Sequence, residues 1–145
     1  MSELKQLFVT RLEKSIDSMC KDIEALDHEV LDRKFNDKTR RAYDYAYEVA
    51  MVNREFVAKP LRGEEPSELF QFGEEWMEAP EQYRDKAAVC ALLRETVAEC
   101  TAAAENADEM EAVKKCSFAW MHVMYHDGQL NLLQSMSGDM VVHWA

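Results

Sequence analysis

Apolar residues recur along this chain in steps of three and four, and four segments carry the pattern. In the first, from Ser2 to Leu26, Leu4, Leu7, Phe8, Leu12, Ile16, Met19, Ile23 and Leu26 share one face of a helix. The second is predicted from Thr39 to Ala58. Asn36-Asp37-Lys38-Thr39 supply its caps, and Lys59-Pro60 ends it, because proline disfavours a helical residue before it. The third is alanine-rich, from Pro80 or Glu81 to Ala104. The fourth starts near Asp108 or Glu109 and runs to Met136, with Gly138 as its terminating glycine. Only the short Met140-Val141-Val142 tail alternates as a strand would.

The expected fold is all-α, a four-helix bundle occupying residues 1–145 as one domain. Short connections join helices one and two, and three and four. Pro60 to Ala79 separates helices two and three, and a crossover that long can travel the length of a bundle and leave them parallel. In it Glu64, Glu65, Glu68, Glu74, Glu75 and Glu78 surround Leu69, Phe70, Phe72 and Trp76. The aromatics are expected to pin the crossover while the acids face water.

Composition narrows the function classes. With 145 residues, 48% of them hydrophobic, the chain can bury a core without disulfide or metal staples. Lys and Arg number 17 against 28 Asp and Glu, a formal charge of −11 that repels phosphate backbones, so no nucleic-acid partner is expected. No apolar run approaches the roughly 20 residues that span a bilayer, so no membrane partner is expected either. The N-terminal segment is amphipathic and lacks the pattern of a secretory leader, which makes the cytoplasm the expected location. Cys20, Cys90, Cys100 and Cys116 show no CxxC pair and read as reduced core thiols.

The candidate chemistry lies in the fourth helix. At about 100° per residue, with His122 at zero, His126 falls near +40°, Gln129 near −20° and Leu133 near +20°. Phe118, Tyr125, Leu132 and Met136 flank this arc on one side, Val123 and Leu130 on the other. Trp120, Asp127, Asn131 and Gln134 take the opposite face. Two histidines at i and i+4 have Cβ atoms roughly 5–6 Å apart, close enough for both to reach one cation, and imidazole suits zinc, nickel or iron.

The candidate third ligand is Glu48 in the second helix, amid Tyr45, Val49, Val52 and Phe56, with Asp44 and Glu55 on the same stripe. A carboxylate among apolar neighbours is costly to ionise unless paired or coordinated. Glu48 is therefore either a metal ligand or a salt-bridge residue, with Arg41, Arg54, Lys115 or an arginine of the third helix as partner. Two histidines and one carboxylate leave open positions on a metal, the arrangement of catalytic rather than closed structural sites. Gln129 is placed to hydrogen-bond a ligand. Tyr47 and Tyr125 are candidate pocket hydroxyls, or amphipathic core residues. His28 and His143 read as surface residues.

The run from Met121 and His122 through His126, Gly128, Gln129 and Leu130 to Gly138 resembles the last-helix motif of the DinB/YfiT-like superfamily. In that motif a His, three residues, a second His and then Gly-Gln precede an apolar residue. The resemblance extends to the second helix, where Asn53 matches a family Asn and Glu48 stands where the family's first metal-binding His is usual. It implies an up-down-down-up bundle holding a divalent metal, in many members as a homodimer. Characterised branches are similar to transferases and isomerases that use a low-molecular-weight thiol. Asp127 replaces a frequent Arg and is expected to point away from the site. Two readings follow: a metal-dependent enzyme acting on a small-molecule substrate, thiol-dependent or hydrolytic, and a non-catalytic bundle binding a small ligand or protein with a degenerate site.

Overall fold

The computed structural model describes residues 1–67 and 76–145, and among them every regular element is helical. Helix α1 (Glu3–Ala25) begins at Ser2, whose hydroxyl accepts the backbone N–H of Lys5 at 3.3 Å. A single turn, α2 (His28–Leu31), occupies the connection expected to be a plain loop. Helix α3 (Ala42–Met51) widens into a π-helical segment (Val52–Ala58) and closes with α4 (Lys59–Leu61). A 3-10 turn (Glu81–Tyr83) leads to α5 (Lys86–Asn106), capped by the Asp85 carboxylate on the Ala88 N–H at 2.9 Å. Asp108 caps α6 (Glu109–Met136) through the N–H groups of Met110 and Glu111, and Gly138 ends it at φ +91°.

Both ends of the second predicted helix differ from expectation. Asn36 accepts the N–H groups of Lys38 and Thr39 with its own side chain, which makes a turn rather than a cap. The helix starts three residues later, where the Arg41 N–H donates to Asp44 Oδ2 at 2.8 Å. At the far end Pro60 does not stop the chain. A proline leaves the carbonyl four residues back without its helical donor, and here that carbonyl, Phe56, accepts Lys115 Nζ at 3.0 Å. The wider π turn and this borrowed donor let the helix pass through Pro60, which sits in the first turn of α4, where proline is tolerated. The third helix also starts later than expected, because Pro80 opens the 3-10 turn instead.

Helix α1 packs against α5 and α6, while α3 and its π extension pack against the other sides of α5 and α6. Leu12, Ile16, Met19 and Ile23 of α1, Tyr43 and Val49 of α3, Leu93 of α5 and Leu130 of α6 are fully buried between them. All four cysteines are free and buried. Among the described residues no helix is long and apolar enough to cross a membrane.

Because α6 has α1 on one side and α3 on the other, its face opposite the histidines is not a surface. Asp127 and Gln134, expected to point outward, are 4% and 3% exposed, while Tyr125, Leu132 and Met136 of the predicted apolar arc are open to solvent. Two carboxylates of α3 and the π segment fix the ends of the crossover. Asp44 Oδ1 accepts the Ala79 N–H at 2.8 Å, and Glu55 Oε2 accepts the Ser67 N–H at 2.6 Å. Leu69, Phe70 and Phe72, expected to pin the crossover, lie outside the described residues. Trp76 is 71% exposed and does not bury itself in the core.

Asp127 meets Asp22 of α1 in the core. Asn131 Nδ2 donates to Asp22 Oδ2 at 2.9 Å, and the Oδ1 of each acid is buried with no hydrogen-bond partner among the described residues. Burial, then the charge of Asp22 and a hydrogen bond to it, push Asp127 up from 3.8 to about 8. The folded protein thus holds a proton that the unfolded chain releases, and stability falls as pH rises from about 4 to about 8. Asp127→Asn keeps the shape and supplies a permanent donor. Thermal melts with chelator present should show the wild type losing stability across this window and the variant losing less, with a Tm higher by about 3 °C or more at pH 8. Parallel pH profiles would show that the pair does not carry the dependence.

Candidate metal centre

Glu48 reaches the centre from the last turns of α3, and His122 and His126 reach it from the middle of α6. Their burial is nearly complete, at 8%, 8% and 1% exposure. The packing of α3 on α6 brings the carboxylate opposite two successive turns of histidine. His126 Nε2 lies 3.1 Å from His122 Nε2 and 3.2 Å from Glu48 Oε1, and His122 Nε2 lies 3.4 Å from the same oxygen.

Three donor atoms thus form a nearly equilateral triangle. Tetrahedral bonds of roughly 2.0–2.1 Å place neighbouring donors about 3.3–3.4 Å apart, so the triangle is close in size to one around a zinc-like cation. With Glu48 ionised and one Nε2 protonated, the other imidazole turns a lone pair to the carboxylate. With both protonated, two N–H groups face each other across 3.1 Å. A cation facing three lone pairs makes every edge favourable, and these three residues can hold one.

The surrounding residues hold the donors in place. His126 Nδ1 donates to Gln129 Oε1 at 2.7 Å, which turns its Nε2 toward Glu48 and His122. The Tyr45 ring stacks on His126 with centroids 5.4 Å apart, and Phe118 stacks on His122 at 5.9 Å. The second carboxylate oxygen of Glu48 accepts Arg40 Nη1. Burial alone would raise the pKa of Glu48, but hydrogen bonds from His122, His126 and Arg40 outweigh it and hold the carboxyl well below the usual range.

Of the residues singled out in the sequence, Glu48, His122 and His126 converge, and Gln129 joins them from behind His126 rather than from the ligand side. Tyr125 borders the centre from outside, 59% exposed, with its ring edge-on to His126 and the ring centroids 5.1 Å apart. Tyr47 goes elsewhere and stacks on Tyr83 at 5.6 Å. Asn53 is fully buried in the π segment, and its amide has no hydrogen-bond partner among the described residues. His28 is exposed and lies 2.8 Å from the Tyr43 hydroxyl, and the half-buried His143 pairs with Asp139 at 2.8 Å.

Sequence reasoning missed Arg40. Arg41 turns instead to Asp32 and Asp44, Arg54 to Glu95 and Glu99, and Lys115 to Phe56. Two helical turns separate Arg40 from Glu48 in a continuous helix. The pair meets only because the chain is extended at Arg41, at φ −77° and ψ 158°, and folds Arg40 back. Tyr45, the ring that stacks on His126, was read only as an apolar neighbour of Glu48.

No family profile, curated protein or solved structure matches the chain significantly. Gln129→Leu removes the acceptor that orients His126, and its zinc affinity should fall about tenfold or more with the helical circular dichroism unchanged. Competition against a chromophoric chelator reads this directly. Wild-type affinity in the variant would mean that stacking on Tyr45 alone sets the ring.

Proposed function

We propose that this protein is a divalent-metal-dependent enzyme of the DinB/YfiT-like type. The reading takes its four long helical rods as an up-down-down-up bundle around a zinc, nickel or iron site, in a cytoplasmic setting. The observation that carries it is the triangle of Glu48 Oε1, His122 Nε2 and His126 Nε2, with edges of 3.1–3.4 Å. Three protein donors leave room for a further ligand, as catalytic sites do. A bound cation would supply Lewis acidity, lowering the pKa of a ligated water or thiol and polarising a substrate carbonyl.

The protein's own groups support this by orientation and exclusion of water. Gln129 and Tyr45 set the His126 ring, Phe118 covers His122, and Arg40 takes Oε2 of Glu48 and leaves Oε1 to the histidines. A small-molecule substrate with a low-molecular-weight thiol as co-substrate is the reaction class proposed from the sequence resemblance, with hydrolysis as the related chemistry.

The Arg40–Glu48 pair favours a second reading. Arg40 already neutralises the buried carboxylate without a metal, so a degenerate site in a non-catalytic bundle that binds a small ligand or protein is consistent with that contact. Elemental analysis of untagged protein separates the two. The metalloenzyme should carry close to one equivalent of zinc, nickel or iron, and His122→Ala none, while keeping its fold. Chelator should lower the Tm of the wild type by several degrees and leave the variant unchanged. An unchanged wild-type melt, with no metal taken up from excess divalent ions, would leave the binding bundle.

A further inference from the structure

Arg40 is held more closely than an ion-pair partner of Glu48 requires. It is 7% exposed, with its guanidinium carbon 4.8 Å from the Tyr45 ring centroid and 4.4 Å from that of Trp76. Among the described residues it donates only through Nη1, to Glu48 Oε2 and, at 3.5 Å, to the carbonyl of Met77. Its Nε and Nη2 donate to no group among the described residues, so that edge of the fork is unpartnered although the side chain is nine-tenths buried. Tyr45 in turn stacks on His126, which places the guanidinium within one ring of a candidate metal ligand.

The charge count points the same way. Two histidines bind a cation as neutral imidazoles, and Glu48 and Arg40 cancel each other, so a divalent ion here would keep its full charge in a nearly dry site. Burying uncompensated charge is costly, and an anionic ligand removes the cost. The free edge of a guanidinium matches a carboxylate through two parallel N–H donors, and aromatic rings on its faces keep that edge aimed.

We propose that the small molecule bound at this centre carries a carboxylate, and that Arg40 binds it. The inference rests on the metal reading above and adds the substrate class. Trp76, 71% exposed beside Arg40, offers an aromatic wall to the part of the ligand next to the carboxylate.

The test uses full-length protein loaded with cobalt(II), whose visible absorption reports on its ligands, titrated with acetate and separately with imidazole as a neutral control. Arg40→Gln should bind acetate about tenfold or more weakly than the wild type, the loss expected when a charged hydrogen-bond partner is removed. Arg40→Lys keeps the charge but not the fork, and should lose severalfold. Imidazole affinity should not fall in either. Equal acetate affinity in the wild type and in whichever variant folds overturns the carboxylate assignment and leaves the metal site standing. Failure of the wild type to bind cobalt overturns the metal reading and this inference with it.

Discussion

A carboxylate removed from water has to be compensated on both oxygens, and Glu48 meets that requirement from two directions. Arg40 takes Oε2, and the two histidines of α6 take Oε1. This arrangement sets the register of α3 against α6, since a shift of one helical turn would leave either the carboxylate or the imidazoles without partners. Neighbouring acids on the same helical stripe serve the chain itself. Asp44 holds Arg41 and Ala79, and Glu55 holds Lys59 and Ser67. One helical rod therefore anchors both ends of the crossover and presents one carboxylate to the centre.

The π segment between Met51 and Lys59 shows a different kind of accommodation. A helix that must pass a proline loses one donor, and Lys115 restores it from α6 while its ammonium rests 3.8 Å from the centroid of the Phe56 ring. The same segment turns its Asn53 carbonyl to the Cys100 thiol at 3.1 Å. Carbonyls that a wider helix leaves poorly matched thus find donors on α5 and α6. The cost of irregular backbone is offset by tertiary hydrogen bonds, which ties the irregularity to the packing around it.

Adjacent residues of α6 face opposite electrostatic problems. His126 turns to an ionised carboxylate, and Asp127 turns to a second acid on α1. The first carboxylate is met by Arg40, the second by the proton that Asp127 retains. A helix buried on both sides can carry both, because successive side chains point about 100° apart. Its outer edge leaves Met121, Met124, Tyr125 and Leu132 exposed to solvent.

Local pattern determined most of the helices. The three-four periodicity, the caps at Ser2 and Asp108 and the glycine at 138 all act within a few residues, where backbone geometry and side-chain hydrogen bonds decide the outcome. The i and i+4 spacing of His122 and His126 and the apolar setting of Glu48 are local too, so the candidate ligands were legible in the chain. What surrounds them was not. Arg40, the passage of the helix through Pro60 and the burial of Asp127 depend on which helix lies beside which, and periodicity along one helix carries no information about its neighbours. A face that looks polar in isolation becomes interior when a second helix covers it. A buried charge is then compensated by whatever group the fold brings within hydrogen-bond reach.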